Sequence, residues 1–289
     1  MKVVKKMNIG EILLESYEIL KKVNIESYLL DSQLLLGKVL DKDKLFIMLN
    51  RDFNLSNKQE NEFLRLIQIR KKKMPIKYIL GECEFMGMDF IVKPGVLIPR
   101  PDTEVLVEEV IKNINEDGYR SICDVCSGSG AIGIAIAEFI KDVKVTLYDI
   151  SIEAIDVAKS NIERFNLSNR VNTEISDLLQ VAIKQNKKFQ VIVSNPPYIR
   201  EEVIPTLMDD VKNYEPFIAL CGGSDGLDFY REITKESLQV LEKGGLLAFE
   251  IGFDQREAVV DILLKSGFKI TECIKDLSGN DRVIKAILV

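Results

Sequence analysis

The sequence has no histidine and no tryptophan in 289 residues. Without an imidazole, every mechanism built on a histidine base is excluded, Ser-His-Asp and Cys-His catalysis among them, together with any histidine-ligated zinc. Long apolar runs are also missing. Hydrophobic residues make up 46% and charged residues 29%, and charge interrupts each apolar stretch well before the ~20 residues of a membrane span. The amino terminus carries Lys2, Lys5 and Lys6 but runs into Glu11 and Glu15, so it does not read as a secretion signal. Cysteine is sparse and odd in number: Cys83, Cys123, Cys126, Cys221 and Cys273 do not make a disulfide framework, and a reducing cytoplasm is the expected compartment. Cys123 and Cys126 form one Cys-x-x-Cys pair with no second pair at finger spacing, so no metal site is expected.

Charge is acidic overall, −6, but unevenly spread. Through Pro75 there are 15 basic against 10 acidic residues, and beyond it 24 against 35. That shift predicts a domain boundary near residue 75. The cluster Arg70 to Lys73 reads as a solvated helix end, with a docking face for an acidic partner as the alternative. So acidic a remainder argues against tight binding to free nucleic acid, which needs concentrated positive charge.

Apolar residues recur at helical spacing from Asn8 to Lys73, for example Ile9, Leu13, Tyr17 and Leu20, which predicts a small domain of about four helices over 1–75. A connector over 76–100 follows, with two short apolar segments around Gly87 that read as a hairpin. After Pro101, helices are expected over 102–114, 131–140, 152–165, 226–241 and 255–266. Strands are expected over 122–125, 143–148, 171–175, 189–193, 246–251, 268–274 and 283–289. Repeated strand-helix alternation specifies an α/β fold with a mainly parallel, doubly wound sheet over 101–289.

Two segments carry chemistry. The first, Asp124-Val-Cys-Ser-Gly-Ser-Gly-Ala-Ile-Gly133, leaves an apolar strand and opens an apolar helix. Its glycines let the backbone pass close to a ligand, and the helix start offers free N–H groups. Asp149 closes the next strand, where a carboxylate can accept both ribose hydroxyls. The spacing Gly128, Gly130, Gly133 fits a nicotinamide dinucleotide as well as S-adenosylmethionine, so this loop leaves both open. The second segment, Ser194-Asn-Pro-Pro-Tyr198, follows a buried strand and is stiffened by two prolines. The Asn195 side chain and the Pro196 carbonyl supply acceptors that suit a planar NH2, either a carboxamide or the exocyclic amine of a base, and Tyr198 can pack on its flat face.

These residues resemble the Asn-Pro-Pro-Tyr aminomethyltransferases, whose seven-stranded Rossmann-like class I fold binds S-adenosylmethionine. More narrowly, Leu97-Ile-Pro-Arg-Pro-Asp-Thr-Glu104 resembles the signature of the release-factor glutamine methyltransferases. The likeness extends over the whole chain, including the helical domain and Tyr214-Glu-Pro-Phe-Ile-Ala-Leu220. It implies methyl transfer from S-adenosylmethionine, leaving S-adenosylhomocysteine, to the glutamine amide nitrogen in the Gly-Gly-Gln motif of class I peptide chain release factors, with no metal and no membrane. It assigns Cys126, Ser127, Gly128, Ser129 and Gly130 to the methionine and ribose region of the cofactor. Asp149 goes to the ribose hydroxyls, and Asp177 with Leu178 to the adenine border. Asn195 and Pro196 hold the substrate amide, flanked by Pro197 and Tyr198. Such enzymes usually carry glycine where Cys126 stands and often an aromatic where Leu178 stands. The readings left beside this one are an adenine-amino or ribosomal-protein glutamine methyltransferase, a nicotinamide-dependent oxidoreductase, and a silent binding module.

Overall fold

The computed structural model describes residues 6–289. They fall into two compact units, one running through Gly81 and taking in Asp209–Tyr214, the other formed by Glu82–Met208 and Glu215–Val289.

The first unit is helical: α1 Ile9–Lys21, α2 Tyr28–Leu40, α3 Lys44–Leu49, α4 Asn57–Lys71 and α5 Ile76–Leu80. Capping boxes start two of them, Asn8 with Glu11 and Ser56 with Gln59, which satisfies N–H groups the helix itself leaves unpaired. Ile9, Leu13, Leu20, Leu36, Phe63 and Ile67 form its core. Tyr78 lies in α5, ahead of the hairpin, and one expectation is corrected here. Arg70 is not solvated: its Nε donates to buried Asp31 Oδ2 at 2.6 Å, and its guanidinium donates to the half-buried Met74 carbonyl. A planar guanidinium with a fatty stem can be buried where it meets a carboxylate and a carbonyl together, and helical spacing does not reveal those partners.

The second unit opens with the antiparallel hairpin β1 Glu82–Phe85 and β2 Met88–Ile91. There follow α6 Glu104–Asp117, β3 Ser121–Val125, α7 Ala131–Phe139, β4 Lys144–Asp149, α8 Ile152–Arg164, β5 Val171–Ile175, α9 Gln180–Lys184 and β6 Phe189–Ser194. After α10 Asp209–Lys212, which belongs to the helical unit, come α11 Asp228–Val240, β7 Leu241–Glu250, α12 Arg256–Lys265, β8 Phe268–Lys275 and β9 Asp281–Leu288. The seven-stranded sheet runs β5-β4-β3-β6-β7-β9-β8, parallel except where β9 pairs with β7 and β8. One face packs Leu106, Ile134 and Ile162 of α6, α7 and α8; the other packs Ile233, Val259 and Leu263 of α11 and α12. The first helix begins later than expected, because Pro101–Thr103 forms a 3-10 turn before it, and β7 begins earlier, at Leu241. Strand order reverses between β3 and β6, and in open parallel sheets a crevice forms outside the carboxyl ends of the strands at that point.

Candidate active site

At the carboxyl end of β3 the backbone turns through left-handed conformations at Cys126 (φ 59), Gly128 (φ 56) and Gly130 (φ 79). Ser127 N–H donates to the Tyr148 carbonyl, Gly128 N–H to Asp149 Oδ2 at 2.8 Å, and Ser151 N–H to Asp149 Oδ1 at 2.9 Å. Burial raises the Asp149 pKa, and these backbone donors pull it back. Gly133 has a different task. A Cβ there would stand 2.3 Å from Leu147 and 2.9 Å from Val145, so its bare Cα lets α7 lie against β4. Its N–H donates to Asp124 Oδ2, a fully buried carboxyl whose pKa burial pushes up to about 8.

The two positions where the resemblance implies other residues, Cys126 and Leu178, both sit at left-handed backbone, Leu178 at φ 46. An L-residue there bears strain of about 1–2 kcal/mol, so glycine at position 126 has a conformational reason. Desolvation drives the Cys126 thiol pKa well up, although the residue is only half-buried and lies in the loop beside the cleft.

The second segment leaves β6 alongside this loop. Ser194 Oγ donates to the Val125 carbonyl at 2.6 Å, tying the two strand ends together. Asn195 Nδ2 donates to Thr103 Oγ1 at 3.2 Å. Tyr198 is anchored at both ends, its hydroxyl on Glu250 Oε1 and its carbonyl on Gln255 Nε2.

Between the segments lies a cleft whose empty space, mouth included, is about 1140 Å³. Cys126, Ser127, Gly128, Ser129, Asp149, Asp177, Leu178, Asn195 and Pro197 line it. Gly130, Pro196 and Tyr198 stand beside that lining, with the Tyr198 hydroxyl turned to Glu250. Sequence reasoning did not single out Ile150, Ile218 and Phe229, which add apolar walls, or Thr103, which meets Asn195. Arg100 also lines the cleft and pairs with buried Glu215 at 2.5 Å, whereas Glu104 accepts from Met86 N–H at 2.7 Å. Among the described residues no group of three or more His, Cys, Asp or Glu could hold a metal ion, and no helix is long and apolar enough to cross a membrane.

A mainly parallel seven-stranded sheet with an antiparallel strand inserted near one edge, and a glycine loop beneath a cleft at the switch point, defines the class I methyltransferase fold. The model of the methyltransferase small domain matches residues 99–210, and that of the PrmC N-terminal domain matches 11–81. Among solved structures, the hMettl16 catalytic domain in complex with MAT2A 3'UTR hairpin 6 superposes with TM-score 0.57 at 15% identity, over 82% of this chain and 84% of that one. A 16S rRNA methyltransferase from T. thermophilus, solved with AdoMet and guanosine, gives 0.51 at 16% identity over 72% and 50%. At such identities the likeness is one of fold.

Two proteins named release factor glutamine methyltransferase are far more similar. That of Clostridium botulinum is 56% identical over 97% of this chain and 99% of its own length. That of Clostridium acetobutylicum is 52% identical over the same shares. The chain belongs to the release factor glutamine methyltransferase family.

Proposed function

We propose that this chain transfers the methyl group of S-adenosylmethionine to the side-chain amide nitrogen of the glutamine in the Gly-Gly-Gln motif of class I peptide chain release factors, modulating translation termination. The observation that supports the reading is that Asp149 and Asn195 line one and the same cleft. The residues present fit the cofactor. Gly128 has open space where a Cβ would stand, and the buried Ser127 hydroxyl has no hydrogen-bond partner among the described residues. Ile150, Leu178 and Phe229 offer apolar surface for a purine.

When bound, S-adenosylmethionine supplies a sulfonium methyl and departs as S-adenosylhomocysteine. Asp149 holds the ribose hydroxyls, the loop from Cys126 to Gly130 carries the methionine and ribose region, and Asp177 with Leu178 borders the adenine. Asn195 Oδ1 and the Pro196 carbonyl accept the two N–H groups of the glutamine, while Pro197 keeps the loop stiff. An amide nitrogen is a weak nucleophile because its lone pair is delocalised into the carbonyl. Two fixed acceptors stabilise the positive charge that grows on it and aim it in line with the S–CH3 bond. The transfer would leave one surplus proton on the amide nitrogen, which Asn195 Oδ1 or the Pro196 carbonyl would hold until it passes to solvent. No histidine is needed. The same reading places the chain in the cytoplasm, with the translation machinery.

The test is mass spectrometry of a purified release factor incubated with this protein and S-adenosylmethionine. A mass increment of one CH2 on the Gly-Gly-Gln glutamine is expected. An unmodified glutamine refutes the reading.

A further inference from the structure

Asn161 lies in the third turn of α8 and is fully buried, beside Ala158 and Ile162 of the apolar core. A carboxamide in such a place costs more than an apolar side chain of its size unless its polar atoms find partners. Both of them do. Oδ1 accepts the Ile91 N–H at 2.7 Å, while Nδ2 donates to the Ile91 carbonyl at 3.1 Å and to the Ser129 carbonyl at 2.9 Å. These three backbone groups fix which end of the amide is which: turned over, its NH2 would face an N–H and its oxygen two carbonyls.

The bonds join pieces of chain that lie far apart in sequence. Ile91 ends the hairpin strand β2, and Ser129 sits in the glycine loop, buried and lining the cleft. The peptide between Ser129 and Gly130 is held at both ends, its carbonyl by Asn161 and its N–H by the Ser127 carbonyl at 2.8 Å. A Cβ on Gly130 would stand 3.3 Å from Ala158, so the loop lies directly against α8. Glycine also leaves that peptide easy to rotate, because φ of either sign costs it little. The grip of Asn161 opposes the rotation. Without it the Ser129 carbonyl would be buried and unpaired, and turning toward the open cleft would relieve that cost. The same helix reaches the other side of the loop as well, since the N–H of its cap residue Ser151 donates to Asp149 Oδ1 and Asp149 Oδ2 accepts the Gly128 N–H.

We propose that Asn161 is a positioning residue of the cofactor cleft: it locks the Ser129 to Gly130 peptide in the orientation that binds S-adenosylmethionine and ties it to the hairpin, so that loop and hairpin open together. A loop that takes two orientations binds from only one, and its apparent affinity falls by the fraction that stays competent. The inference rests on the function proposed above, through its cofactor alone.

The experiment compares the parent chain with Asn161→Leu and Asn161→Ala. Leucine keeps the bulk and alanine removes it, so the two variants share only the loss of the three bonds. Calorimetry with S-adenosylhomocysteine gives Kd and stoichiometry, and methyl transfer to intact release factor gives kcat and the KM for S-adenosylmethionine. Both variants are expected to raise Kd and KM at least about tenfold, with the competent fraction reduced accordingly. Their kcat should stay within about threefold of the parent and their stoichiometry should not change. A merely structural role predicts the opposite pattern, a lower stoichiometry with parental Kd in the molecules that remain folded, and that result overturns the proposal. Should neither variant fold, hydrogen exchange on the parent decides: saturating S-adenosylhomocysteine should slow exchange of the Ile91 amide at least about fivefold, because a ligand that holds the loop also holds what opens with it. An Ile91 rate indifferent to the ligand overturns the proposal. A parent that binds no S-adenosylhomocysteine refutes the cofactor reading; a parent and variants that bind it equally refute only the positioning role.

Discussion

Asp149 accepts the Gly128 N–H on Oδ2 at 2.8 Å, so the loop after β3 is fastened to the end of β4 by a carboxylate that also lines the cleft. Its other oxygen takes the Ser151 N–H. An amide in its place has one acceptor for two donors, so Asp149→Asn must turn an NH2 against a backbone N–H. Cofactor Kd should rise at least about tenfold, near 1.4 kcal/mol. Calorimetry with S-adenosylhomocysteine reads this directly, and an unchanged Kd removes Asp149 from the ribose role.

Asn195→Ala takes away the amide acceptor while leaving the glycine loop intact. Turnover should fall at least about tenfold with cofactor affinity little changed, the pattern of a group that acts mainly in the transition state. Single-turnover methyl transfer measures it. Full activity in the alanine variant would show that the glutamine is held elsewhere.

Gly133→Ala tests packing rather than chemistry. The added methyl meets Leu147 at 2.3 Å and Asp124 Oδ2 at 3.1 Å, and overpacking of this kind costs about 1–3 kcal/mol. Thermal unfolding should show a lower Tm, and a variant as stable as the parent means α7 and β4 have more slack than their separation shows.

Asp31→Ala strands a buried cation. The side chains of Arg70 and Asp31 are 8% and 2% exposed, and removing one partner of such a pair costs about 3–5 kcal/mol. Denaturant titration of the full chain should show the loss in the transition that reports the helical unit. A cost near zero would mean that water reaches Arg70.

Stability should also depend on pH through Asp124. Its carboxyl rises from 3.8 to about 8 on burial, so between those values the folded state keeps a proton that the unfolded chain has released. The stabilising contribution is complete below the unfolded value and is lost as pH rises through about 8. Asp124→Asn has no such proton and should flatten this dependence. Urea unfolding at about pH 5 and about pH 8 compares the two chains. Identical slopes would show that Asp124 does not titrate in that window.

The parts of this molecule legible in the sequence are those with local signatures. The segment from Asp124 to Gly133 could be placed because an apolar strand, a glycine turn and an apolar helix follow one another without interruption. Asn195 could be placed because two prolines mark its loop. Thr103 was quoted within its signature run, but its bond to Asn195 spans 92 residues, and no spacing rule reaches that far. Glu250 did leave a trace, a charge lodged between Phe249 and Ile251, although the Tyr198 hydroxyl that meets it comes from the loop after β6. Arg70 misled for the same reason: a basic run at a helix end looks exposed until Asp31 on another helix is seen beneath it.

The place of β9 carries a consequence for synthesis. This strand comes last in the sequence of the sheet yet lies between β7 and β8. A nascent chain that has emerged only as far as β8 offers β7 as an open edge, with apolar Leu246 to Phe249 unpaired on that side. Such edges invite pairing with other chains. The order of synthesis leaves that edge of β7 open until β9 has been made and can slot between it and β8.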